Sequence, residues 1–127
     1  QVQAATGARL VHPFTDPAVI AGQGTAALEL LSQSGGLDVL LTPVGGGGLI
    51  GGMGSHLKAA SPDTEVIGCW PRNSPALYEC MRAGRVIEVA EQPTLSVSTA
   101  GGLEGDAAAG DGPRGARHTF HRLCGRH

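Results

Sequence analysis

The sequence is nearly empty of aromatic side chains: one Trp, one Tyr and two Phe in 127 residues. That excludes the aromatic platforms on which single-stranded nucleic acid stacks. Charge is scarce too, at 16% of residues and a net of -2. With 41% hydrophobic residues, this is neither a disordered acidic chain nor a basic one. Neither nucleic acid nor a membrane is an expected partner. No apolar run approaches the ~18 residues that span a bilayer. The three cysteines, Cys69, Cys80 and Cys124, form no CxxC pair. With no signal peptide visible, they point to a reduced, cytoplasmic setting. Lysine is almost absent, Lys58 being the only one.

What the chain has is glycine, 21 residues of it, with 8 Pro. The glycines show no three-residue period, so collagen is excluded. The apolar content is mostly Ala, Val, Leu and Ile, the mix of a parallel α/β sheet. The length suits one domain. Residues 1–104 carry a net of -4 and residues 105–127 a net of +2. The later stretch also holds three of the five His. This shift puts a boundary near Glu104.

Strand and helix signals alternate along the first part. The opening residues read as the end of a helix. Arg9–His12 reads as a short strand stopped by Pro13. Asp16 as N-cap and Pro17 in the first turn start a helix that Gly35-Gly36 ends. Asp38–Val44 is an apolar strand, followed by Gly45, Gly46, Gly47 and Gly48. A second helix runs from about Leu49 to Ala60. Glu65–Trp70 is the next strand, Ser74-Pro75 opens a helix that Gly84 caps, and Arg85–Val89 reads as a further strand. The expected fold is α/β, an open parallel sheet with helices on both faces. Ligands of such sheets bind at the carboxyl ends of the strands, where the glycine run falls.

Strand, four glycines and helix start make an anion cradle. Glycine lets backbone N–H groups approach a phosphate closely. The helix start adds donors and partial positive charge, so no basic side chain is needed. Gly46-Gly47-Gly48-Leu49-Ile50-Gly51 fits GxGxxG. However, a dinucleotide site also needs an acid at the end of the next strand, and that position is Trp70. There is no GxxxxGK[ST], which excludes a nucleoside triphosphate loop. A small phosphorylated cofactor remains.

Two long motifs now carry a resemblance. They are His12-Pro-Phe-Thr-Asp-Pro-Ala-Val-Ile-Ala-Gly-Gln-Gly-Thr25, with Glu29 after it, and Pro43-Val-Gly-Gly-Gly-Gly-Leu-Ile-Gly-Gly52. Together they resemble the serine/threonine dehydratase and serine racemase family, fold-type-II enzymes that use pyridoxal 5'-phosphate. Asn73-Ser-Pro and Thr99-Ala-Gly-Gly-Leu-Glu104 resemble the biodegradative dehydratase branch. The similarity covers residues 1–104, expected to be part of the large cofactor-binding domain.

The resemblance implies that Gly45, Gly46, Gly47, Gly48 and Leu49 bind the cofactor phosphate through backbone N–H groups. It implies that Phe14 lies near the pyridine ring. The Gly22–Thr25 stretch would open or brace the helix beneath the site, with Gln23 and Thr25 expected to serve packing ahead of the alternative, direct ligand contact. In the intact enzyme the implied reaction removes the α-proton and the β-hydroxyl of serine or threonine, giving a 2-oxo acid and ammonia. The implied partner is a small amino-acid substrate, and the full-length protein is expected to be a homo-oligomer. A second reading is a non-catalytic phosphate-binding or regulatory truncated product, and a third is a racemase-like enzyme.

The chain departs from the family at several points. The cofactor needs a lysine to link to it. Lys58 lies ten residues past Gly48 on a helix, about 15 Å along the axis at 1.5 Å per residue, too far to double back. No residue of this chain is therefore assigned a catalytic role. Val97 stands where the dehydratase pattern has Asp. Trp70 and Ala76 stand where racemase-like members carry cation-binding carboxylates, so no Mg2+ or Ca2+ site of that type is expected. Residues 105–127 resemble nothing in the family and read as an unrelated, disordered tail from a shifted frame or splice. His118, His121, Cys124 and His127 recur every three residues there, but Gly125 and interleaved Arg weaken a helical zinc site. Cys69 and Cys80 read as core thiols, and Glu29, Glu79 and Glu88 as solvated positions.

Overall fold

A computed structural model describes residues 2–100. The first helix, α1 (Val2–Thr6), is followed by an extended segment. The elements after it are α2 (Pro17–Ser34), β1 (Val39–Pro43), α3 (Gly48–Ala60), β2 (Glu65–Cys69) and α4 (Ala76–Ala83). One 3-10 turn, Val97–Thr99, closes the described residues.

Local chemistry sets the helix limits. The Asp16 carboxylate accepts the Ala18 N–H at 2.8 Å and caps α2, with Pro17 in the first turn. Such a cap stabilises a helix by about 1 kcal/mol. Gly35, at φ 73°, ends α2 in the left-handed region. Gly84 does the same for α4 at φ 66°.

β1, α3 and β2 form a β-α-β unit. β1 and β2 pair in parallel, from Val39 opposite Glu65 to Pro43 opposite Cys69. The ladder extends one residue each way: Glu65 N–H donates to Asp38 O, and Val44 N–H to Cys69 O. Leu40 and Val66 are register partners and share a face. They pack into a core of Ala27, Met53 and Leu57 from α2 and α3. Thr64, buried, donates its hydroxyl to Leu37 O at 2.7 Å, tying the loop before β2 to the one before β1. The α/β class and the parallel sheet are therefore present. α2 and α3 cover the Leu40 face, whereas Val39 and Leu41 on the other face of β1 are 45% and 57% exposed.

α2 and α3 cross backbone against backbone. A Cβ on Gly52 would collide with Ile20 O and stand 2.8 Å from Gly24 N. One on Gly24 would lie 3.1 Å from Gly52 O. The crossing holds α3, and hence the glycine run at its start, at fixed depth behind α2.

Two expected strands are absent among the described residues. Arg9–His12 has no ladder partner, and Leu10 and Val11 are exposed. Arg85–Val89 is irregular as well. A strand exists only by pairing, and β1 and β2 pair with each other alone. Ile87 exchanges its backbone N–H and C=O with the buried Cys80 sulfur instead (3.4 and 3.5 Å). The chain then returns across the 71–75 turn, where Gln92 N–H donates to Asn73 O and the Asn73 amide donates to Pro93 O. The boundary near Glu104, residues 105–127 and the His118–His127 series lie outside the described residues.

Candidate functional site

The glycine run lies at the carboxyl end of β1, where the strand feeds α3. Val44 is still hydrogen-bonded to the sheet. Gly47 then turns the chain at φ 91° as N-cap of α3. Only glycine takes that angle without strain. The first backbone bond donated from α3 is Gly51 N–H to Gly47 O at 2.9 Å. The amides from Gly45 to Ile50 donate no hydrogen bond among the described residues. They form a row of donors at the positive end of a 13-residue helix.

Three segments wall this row. Phe14 lies against it: a Cβ on Gly46 would stand 2.5 Å from the Phe14 ring, and one on Gly48 2.9 Å from the Phe14 Cα. Leu77 of α4 approaches Gly47, its Cδ2 at 3.0 Å from a Cβ placed there. Thr99 packs on Gly45, with its Cα at 3.6 Å from the corresponding position. Side chains at Gly46 or Gly48 would therefore overlap Phe14, and one at Gly47 would be strained. The cradle offers amides and little else, a donor set suited to the terminal oxygens of a phosphate.

All the residues expected to hold the phosphate, Gly45 to Leu49, lie in this row, and Phe14 borders it. Gly22–Thr25 lies inside α2 instead of opening it. Gly24 is the packing residue at the crossing, while Gln23 and Thr25 are exposed. Lys58 is exposed on the far turn of α3. Trp70 stacks on Tyr78, ring centroids 5.0 Å apart at 26°, and the Arg82 guanidinium lies 5.7 Å over the Tyr78 ring. Its Cζ3 also reaches 3.0 Å from the Cβ position of Gly68. Trp70 is therefore packing that joins the end of β2 to α4. Among the described residues no three His, Cys, Asp or Glu gather as a metal-holding group. None of their helices is long and apolar enough to cross a membrane.

Leu77 belongs to no motif, and Thr99 opens the Thr99–Glu104 motif without any sign of a contact with the loop. Each meets the loop from a distant stretch of chain, so no local spacing marks the contact. His12 belongs to the His-Pro-Phe segment but had no assigned part. In the structure its Nδ1 accepts the N–H groups of Phe14 and Thr15.

A family model described as "Pyridoxal-phosphate dependent enzyme" matches residues 1–115. The L-threonine ammonia-lyase of Thermotoga maritima is 43% identical over 106 residues, 84% of this chain and 26% of the relative. The beta-hydroxyaspartate dehydratase of Paracoccus denitrificans is 47% identical over 87 residues, 68% of this chain and 28% of the relative. Among solved structures, the processed threonine deaminase isoform 2 of Solanum lycopersicum superposes with a TM-score of 0.75 at 30% identity, over 84% of this chain and 32% of that one. Maize serine racemase gives 0.75 at 32% identity, over 85% and 34%. The chain thus spans about a quarter to a third of the length of these relatives. A family model that covers most of the sequence leads to one conclusion: the chain belongs to the pyridoxal-phosphate dependent enzyme family.

Proposed function

We propose that this chain carries the phosphate-binding part of a pyridoxal-phosphate-dependent L-serine/L-threonine ammonia-lyase. The observation that carries the reading is the row of amides from Gly45 to Ile50, which have no protein acceptor among the described residues. Gly45, Gly46, Gly47, Gly48 and Leu49 would hold the cofactor phosphate, the α3 start adding its dipole. Phe14 would border the pyridine ring. When bound, the cofactor supplies an electron sink for loss of the substrate's α-proton. This chain's residues bind and orient it, and Phe14, Leu77 and Thr99 keep water from the loop's flanks. The relatives named threonine ammonia-lyase and dehydratase support a small hydroxy amino acid as substrate of the whole protein. We also propose a cytoplasmic, homo-oligomeric whole protein. The free thiols of Cys69 and Cys80 suit a reducing compartment.

A second reading has its own support. Lys58, the only lysine, is exposed at the far end of α3, which favours a phosphate-binding piece without catalysis of its own. One experiment addresses the phosphate reading common to both. The chain is titrated with pyridoxal 5'-phosphate and, separately, with pyridoxal, following 15N amide shifts. The phosphorylated form is expected to move Gly45 to Leu49, and pyridoxal to leave them in place. Equal responses to the two would remove the phosphate reading.

A further inference from the structure

The glycine loop is not held by its own helix alone. The ring of Phe14 fills the space where a Cβ of Gly46 would be, and the Phe14 backbone closes over Gly48. Phe14 lies in a turn with no ladder partner, so something must hold that turn. His12 does so in two ways. Its Nδ1 accepts the backbone N–H of Thr15 at 3.3 Å and of Phe14 at 3.5 Å. Its ring meets the Phe14 ring edge to face, centroids 4.5 Å apart and planes at 87°. One residue further on, Asp16 caps α2, so the turn passes directly from one side-chain acceptor to the next.

We propose that His12 is a positioning residue for the phosphate loop. Its Nδ1 acts as a local acceptor that folds residues 12–15, and so presses the Phe14 ring onto Gly46 and the Phe14 backbone onto Gly48. His12 touches no reacting group; it acts through Phe14. The side-chain acceptor closing on amides two and three residues ahead is the geometry of an Asx turn. Asparagine carries an acceptor at an equivalent distance from the backbone. The part of the inference that concerns phosphate rests on the cradle reading above.

The test uses the full 127-residue chain with two variants, His12→Ala and His12→Asn. Two quantities are measured: the ring-current shifts of the Gly46 and Gly48 protons, and the dissociation constant for inorganic phosphate. In the unsubstituted chain the Phe14 ring is expected to shift the Gly46 protons away from their open-loop positions. His12→Ala should abolish that shift and weaken phosphate binding about tenfold, the scale of two lost backbone bonds. His12→Asn should restore the ring-current shift and bring affinity back to within about twofold. A general packing role would not be rescued by a smaller, non-aromatic residue. Unchanged shifts and affinity in His12→Ala would overturn the proposal, as would a His12→Asn chain behaving like the alanine variant. Should His12→Ala fail to fold, the asparagine variant decides alone: retained shifts support the acceptor role and lost shifts refute it. If phosphate binds none of the chains while the ring shifts follow the expected order, the cradle reading falls and the placement of Phe14 by His12 stands.

Discussion

Gly46 is the residue at which side-chain size and ligand geometry meet most directly. A methyl group there would stand 2.5 Å from the Phe14 ring, and the ring cannot bend away as a flexible chain end would. Gly46→Ala should therefore displace Phe14, cost about 1–3 kcal/mol of overpacking, and weaken phosphate binding. Urea unfolding and a phosphate titration check the two parts separately, and a chain that keeps both stability and affinity would contradict the contact. That four glycines join a strand end to a helix start was legible in the sequence, because all three lie in one stretch. What presses on the cradle was not. Phe14, Leu77 and Thr99 come to it from three other stretches, and no period or spacing links positions so far apart. The resemblance placed Phe14 near the cofactor ring, yet the seat on Gly46 is visible only in three dimensions.

Punctuation made most helix limits readable, whereas strands depended on neighbours. Asp16, Gly35 and Gly84 each do what their chemistry allows within one turn of chain. Arg85–Val89, with Val86, Ile87 and Val89, has the β-branched composition of a strand, and Arg9–His12 a short Leu-Val pair, but propensity supplies no ladder partner. The helix crossing lies between these cases. Gly24 and Gly52 stand in motifs, yet only the packed helices show that they meet. A Cβ at Gly52 collides with the Ile20 carbonyl oxygen, which is backbone within α2 and cannot rotate aside. Gly52→Ala is therefore expected to force the helices apart and cost about 1–3 kcal/mol or more, despite alanine's better helix propensity. Gly22→Ala is the control, since nothing lies within 4 Å of a Cβ there. The thermal midpoint should fall in the first variant and hold or rise in the second; equal midpoints would mean the helices do not touch at Gly52.

The described residues form one β-α-β unit with α1 and α2 before it and α4 after it, and its chemistry must be judged from what those parts hold. The proposed cradle would hold a phosphate, but binding and deamination need different groups. A base must reach the α-carbon, and the cofactor must be linked to a lysine. Lys58 cannot serve: it lies on the exposed far turn of α3, about 15 Å along the helix from the amides that would hold the phosphate. Bringing it to the loop would require unwinding the helix whose first turn forms the site. The chain with pyridoxal 5'-phosphate and L-serine or L-threonine is therefore expected to release no 2-oxo acid above the rate of the free cofactor. Lys58→Ala should leave phosphate binding unchanged. Both measurements are needed, because weak activity alone could come from cofactor in solution. Keto-acid formation that exceeds the free-cofactor rate and disappears in Lys58→Ala would show that the lysine reaches the loop, and the separation of binding from catalysis would fail with it.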